Sequence, residues 1–219
     1  VHLTVIWTGE GEDQDGDWHA EFAEVELGPS GLRAAGVQLG AVPVPYRLEY
    51  RLDAGGKGFV TRSLEVETAG EGWKRRLRLD RDAAGTWSAD VGASGEAGLP
   101  APGGDCALLG DALDCDLALS PLTNAMPIHR HSLAGEPGEL DFLMAWVSVP
   151  DLAFRPSRQR YTHLGRKRDL AVVRFLSLDD DEAPFESDLE FDGTGLVRRY
   201  PKLARRIHPT AEAAGHRGY

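Results

Sequence analysis

Basic charge, cysteine and long apolar runs are all scarce in this chain, and each scarcity closes off a class of function. Its 24 Lys and Arg face 35 Asp and Glu, for a formal charge of −11. That balance disfavours nucleic acid, whose phosphates attract basic faces. It equally disfavours a broad electrostatic grip on anionic membrane. The only two cysteines, Cys106 and Cys115, lack zinc-ligand spacing and cannot make a disulfide framework, so both are read as reduced thiols. No apolar stretch approaches the roughly 20 residues that span a bilayer, and the start carries no signal-type apolar region. Since the chain opens at Val1, a removed leader is left open. The cytoplasm is the expected compartment, with periplasmic or secreted placement kept as alternatives. Catalytic signatures are missing too. There is no Gly-x-Ser-x-Gly elbow, no His-Glu-x-x-His, no phosphate loop and no Gly-x-Gly-x-x-Gly after a strand. The expectation is no catalytic set, no cofactor and no metal.

What the chain does have is period-2 alternation. Tyr46, Leu48, Tyr50 and Leu52 oppose Arg47, Glu49, Arg51 and Asp53, and Trp73, Leu77 and Leu79 oppose Lys74, Arg76, Arg78 and Asp80. Such runs are strands with one apolar face and one wet face. The run 140–149 is apolar on both sides, which predicts a strand covered on both. Further strands are expected at 3–8, 18–27, 32–41, 59–68, 86–91, 115–119, 128–133, 158–164, 169–178, 187–192 and 195–200. In 18–27 the apolar phase slips from Trp18, Ala20 and Phe22 to Ala23, Val25 and Leu27, which a bulge near Phe22 would explain. Gly- and Pro-rich turns separate the runs, and many short strands at this spacing predict a barrel, roll or sandwich. Residues 92–111 read as a long surface loop. One domain over 1–207 is expected, followed by a frayed tail at 208–219.

Three arginines fall in phase with apolar neighbours: Arg62 with Val60, Leu64 and Val66; Arg75 with Trp73, Leu77 and Leu79; Arg174 with Val172, Leu176 and Leu178. A guanidinium aimed inward needs a partner or an anion. Inward cations suit either a polar ligand head in an apolar cavity or structural ion pairs. Trp146 suits a sugar face, an acyl channel or plain core. His129-x-His131 puts two imidazoles on one face of the expected strand, without an evident third metal ligand. Asp13–Asp17 and Asp179–Glu182 read as solvated acidic loops.

The segment 117–130 carries the most information. Ser120-Pro121 and Met126-Pro127 bracket a polar turn, each proline pressing its predecessor towards extended backbone, with Thr123-Asn124 between them. Asp116-Leu117, Ser120-Pro121, Thr123-Asn124, Pro127-Ile128 and Arg130 resemble the signature of the bacterial "putative glycolipid-binding" family. Tyr46-Arg47, Thr61-Arg62, Gly85-Thr86-Trp87, Ala145-Trp146-Val147, Gln159-Arg160-Tyr161 and Tyr200-Pro201 follow in the order that family shows. Ser120 and Ala125 stand where it more often has threonine, and His129 interrupts its basic pair. The resemblance implies an all-β, single-domain antiparallel spiral β-roll, a half-closed barrel similar to periplasmic lipoprotein carriers. It also implies a small amphipathic ligand, a glycolipid or lipid, bound without catalysis. The candidate ligand residues are then Arg62, Arg75, Thr123, Asn124, Arg130, Trp146, Tyr161 and Arg174, in a hollow that leaves room for acyl chains. An enzyme acting on a lipid or sugar ester, and a protein-interaction domain using the outer sheet face, are the two rival readings.

Overall fold

Alternation along the chain becomes a single long sheet. In the computed structural model, which describes residues 1–10, 18–56, 58–179 and 184–207, fourteen strands hydrogen-bond in one sheet that does not close on itself. The strands are β1 (His2–Gly9), β2 (His19–Gly28), β3 (Gly31–Gly40), β4 (Tyr46–Gly55), β5 (Val60–Gly70), β6 (Trp73–Arg81) and β7 (Trp87–Gly95). After them come β8 (Asp114–Leu117), β9 (Glu139–Val147), β10 (Phe154–Lys167), β11 (Leu170–Ser177), β12 (Glu186–Phe191), β13 (Val197–Tyr200) and β14 (Ala204–Arg206). Their spatial order is β7-β6-β5-β4-β3-β2-β1-β14-β13-β12-β11-β10-β9-β8, antiparallel except for the β8–β9 pair. Consecutive strands are therefore neighbours nearly everywhere, as hairpins require. This is an all-β domain of the kind expected. The expected tail and the Asp13–Asp17 loop, with most of the Asp179–Glu182 run, lie outside the described residues.

Three local expectations need correction. Residues Ala125–Arg130 are a helix, α1, preceded by a 3-10 turn at Pro121–Asn124, where a strand at 128–133 was expected. Pro127 fits because it sits in the first turn, where backbone N–H groups have no intrahelical acceptor. His129 on this helix stacks on Phe59 and His131, just past its end, tilts against Phe142, so the two imidazoles do not share a face. Secondly, β2 has no bulge: it pairs in unbroken register with β1 and β3. Its inward row is His19, Glu21, Ala23 and Val25, with Phe22 turned outward. A carboxylate in an interior position mimics a phase slip. Thirdly, the stretch 92–111 is not one loop: β7 runs to Gly95, and Cys106–Leu109 is a 3-10 turn whose Leu109 is fully buried.

The sheet winds round its own connection. Residues of the 109–133 segment pack inside, and everything from Ser120 to Ile128 is buried. Leu109, Ala112, Cys115, Leu117, Leu122, Ala125 and Met126 join the inner faces of β1–β7 in one core, while Ile128 and Leu133 join β10–β13 in a second. β9 lies between them, with Ala145 and Val147 in the first core and Met144 in the second, as its two-sided apolar pattern predicts. Backbone polarity inside is met by strand residues. Thr61 N donates to the Leu113 carbonyl at 2.9 Å, Cys115 N to Thr61 Oγ1 at 2.9 Å, and Trp87 Nε1 to the Ala112 carbonyl at 3.0 Å. The hollow expected for acyl chains is thus crossed by the chain itself.

Candidate functional site

The 117–130 segment gathers several of the expected ligand residues, in a network closed on itself. Thr123 Oγ1 donates to Asp116 at 2.8 Å, and Gln159 Nε2 donates to the other Asp116 oxygen at 2.7 Å. Tyr161 OH donates to Asn124 Oδ1 at 2.8 Å, and Asn124 Nδ2 donates back to the Pro121 carbonyl at 3.2 Å. Burial raises the Asp116 carboxyl, against the lowering pull of Gln159 and Thr123. Arg130 forms a two-pronged pair with Asp114, one prong at 2.8 Å, and also donates to the Gly58 carbonyl. Its side chain is 9 % exposed and that of Asp114 1 %. Thr123, Asn124 and Tyr161 therefore share one network and Arg130 belongs to a separate pair, the first fastening the inner segment to β10 and the second to the β4–β5 turn.

A second interior network contains none of the ligand residues expected from sequence. Glu21, 1 % exposed, accepts from Tyr50 OH at 2.5 Å and from Ser120 Oγ at 2.8 Å. Tyr50 can reach it because its ring lies over Gly36, its direct cross-strand partner, where any Cβ would collide with the ring. Burial pushes the Glu21 carboxyl from 4.5 up to about 7, against the lowering hydrogen bonds of Tyr50, Ser120 and Gln38. Tyr46, buried near the same acid, is pushed up to about 12 by burial first and by the Glu21 charge second. In the sequence, Ser120 and Tyr46 stand in the matched motifs and Tyr50 on an apolar strand face, while Glu21 itself shows only as the apparent phase slip at Phe22.

The inward arginines part company. Arg75 is inward as expected, but its guanidinium is taken up by the carbonyls of Leu99 at 3.1 Å and Asp151 at 3.0 Å and by that of Pro100. Arg62 is exposed: between the pairs Asp53–Ser63 and Ala54–Thr61 it is the extra residue of a bulge, which resets the phase and turns it out. Arg174 also faces out and pairs with Asp188 at 2.7 Å, because Ala171, Val173 and Phe175 take the core side of β11. Both parities of that strand are largely apolar, so parity alone does not mark the inner one. Trp146 is half-buried under the Arg155 guanidinium, 4.7 Å from ring centre, and belongs to neither network.

Open space lies on the opposite face of the sheet. Two adjoining grooves, of about 400 and 660 Å³, run over the outer face of β1–β6 and share Glu24, Ala35, Arg51 and Glu65. These are sizes that hold a small molecule. Register explains the lining. Thr4, Glu24, Ala35, Arg51, Glu65 and Arg78 form one outward cross-strand row, in which Ala35 is the only small apolar residue. The next row begins Ile6, Phe22, Val37, and the one after it includes Ala20 and Leu39. Phe22 is 40 %, Leu39 42 % and neighbouring Trp18 53 % exposed. An apolar strip thus runs directly into a charged groove at Phe22 and Val37, both of which line the smaller one. Among the described residues no three potential metal ligands cluster, and no helix is long and apolar enough to cross a membrane.

Comparison with known proteins places the chain in one family. A family model described as "Putative glycolipid-binding" matches residues 4–206. Among solved structures, the crystal structure of a DUF1089 family protein from Pseudomonas aeruginosa is similar with a TM-score of 0.66 and 23% identity. That match covers 89% of this chain and 94% of the other. At that identity the likeness speaks for the fold. No curated protein matches the chain.

Proposed function

The chain belongs to the family described as "Putative glycolipid-binding", and from this premise we propose that it binds an amphipathic ligand non-covalently on the outer face of β1–β4. The observation that carries the proposal is the junction of an exposed apolar strip with a polar groove at Phe22 and Val37. Apolar side chains that water covers in the unliganded protein gain from burial under a lipid tail, at about 25 cal/mol per Å². The groove beside them supplies hydrogen-bonding groups that fix a polar head. This moves the binding surface from the inside of the roll, where the chain's own segment packs, to its outside. The interior arginines support that move, because Arg75 and Arg130 already have partners.

Native mass spectrometry of protein purified from cells, with vesicle flotation as the second readout, tests the reading. Wild-type protein should carry or capture lipid, and Phe22→Ser with Leu39→Ser should abolish capture while leaving the fold intact. Retention of lipid by that double variant would refute the proposed surface. A protein-interaction role is the second reading, favoured by the same exposed Trp18, Phe22 and Leu39. Concentration-dependent self-association lost in the double variant, with no lipid captured by wild type, would select it.

A further inference from the structure

On the premise that an amphipathic ligand binds this outer face, the charges of the groove bear on its head group. In the row that the two grooves share, Glu24 on β2 and Arg51 on β4 flank Ala35 on β3. Both are exposed, and among the described residues neither belongs to an ion pair. The other arginines of the two grooves are all engaged: Arg33 with Asp53, Arg76 with Asp90, and Arg78 with Glu65 and Asp80. Two strand spacings, about 10 Å, separate the Glu24 and Arg51 backbones, and the methyl of Ala35 leaves the space between them open.

We propose that this gap holds an uncharged, hydroxyl-rich head, a neutral sugar, with neighbouring hydroxyls donating to the Glu24 carboxylate and accepting from the Arg51 guanidinium. A carboxylate only accepts and a guanidinium only donates, so a ligand that satisfies both presents donors and acceptors together. Hydroxyls do so, and hydrogen bonds to ionised partners are the strong ones. A phosphate or carboxylate head satisfies Arg51 but is repelled by Glu24. The other acids of the grooves are engaged as the other arginines are, Glu26 beside His2, Glu49 with Arg47, Glu65 with Arg78, Glu67 with Lys74 and Asp53 with Arg33, so Glu24 and Arg51 set the local balance. An ammonium head satisfies Glu24 and is repelled by Arg51. Opposite charges held apart across a small residue therefore select against either sign of ligand charge.

The test is flotation of the full chain with phosphatidylcholine vesicles doped with a monoglucosyl diacylglycerol, with phosphatidylglycerol, or with an alkylamine. The expected result is selective binding to the glucolipid vesicles. Glu24→Gln and Arg51→Gln should each weaken it by about tenfold, the loss of one charge-assisted hydrogen bond. Ala35→Leu, which fills the gap, should weaken it further, while free methyl glucoside should compete. Equal or better binding to either charged vesicle would overturn the inference, as would wild-type affinity in both Gln variants. In those cases the surface defined by Phe22 and Leu39 still stands. Failure of every vesicle to bind would instead remove the binding reading on which the inference rests.

Discussion

Replacing Glu21 by glutamine should make the protein more stable at alkaline pH, with a pH dependence that identifies the buried acid. Glu21 is 1 % exposed, and burial pushes its carboxyl from 4.5 to about 7. A carboxyl whose folded value lies above its unfolded value holds its proton longer in the folded state. Below pH 4.5 both states are protonated and the group costs nothing. Between about 4.5 and 7 the unfolded chain releases the proton first, so stability falls as pH rises. Above about 7 the cost is complete, and at about 1.4 kcal/mol per pKa unit it comes to about 3 kcal/mol. Glutamine mimics the neutral carboxyl and can still accept from Tyr50 or Ser120. Glu21→Gln should therefore match wild type within about 1 kcal/mol near pH 4.5 and exceed it by about 3 kcal/mol at pH 8. For a chain of this length that is a melting shift of about 6–12 °C. Urea unfolding of both proteins at several pH values measures the difference directly. Asp114 and Asp116, also raised by burial, cancel from it because both proteins contain them. A difference that stays flat across pH 4.5–8, or a variant less stable at pH 8, would refute the placement of an ionisable acid in that interior.

The interior packing sets three more expected outcomes. Asp114→Ala strands the Arg130 guanidinium, which is 9 % exposed, and should cost about 3–5 kcal/mol in chemical denaturation. Gly36→Ala forces its Cβ into the Tyr50 ring and should cost about 1–3 kcal/mol, with hydrogen exchange rising around Ser120 as the Tyr50–Glu21 bond is displaced. Thr61→Val keeps the shape but leaves the buried Cys115 N–H without its acceptor, and should cost about 1–3 kcal/mol by thermal melting.

The outward Glu24 and Arg51 and the inward Glu21 mark the limit of what sequence makes legible. Alternation separates the two faces of a strand, and where one face is apolar it also says which is covered, as along Tyr46, Leu48, Tyr50 and Leu52. It cannot say so for β2, where the covered face carries His19 and Glu21 and the wet face carries Phe22. Parity misleads again at Arg62, since a bulge adds a residue that no composition betrays, and at Arg174, where both faces are apolar. The motif at 117–130 is legible as a fixed polar segment, and its Thr123, Asn124 and Arg130 each bond to a buried partner, Asp116, the Pro121 carbonyl and Asp114. That it coils as a helix inside the sheet is not legible, because proline in a helix's first turn and proline in an extended turn look alike in sequence. The sequence by itself determined the all-β class, most strand boundaries to within a few residues and the membership of a family. Only the tertiary structure decided which surface is empty and which is filled. The reason is that a groove such as the one between Glu24 and Arg51 is made by cross-strand register, which joins residues of three different strands and leaves no mark in any one of them.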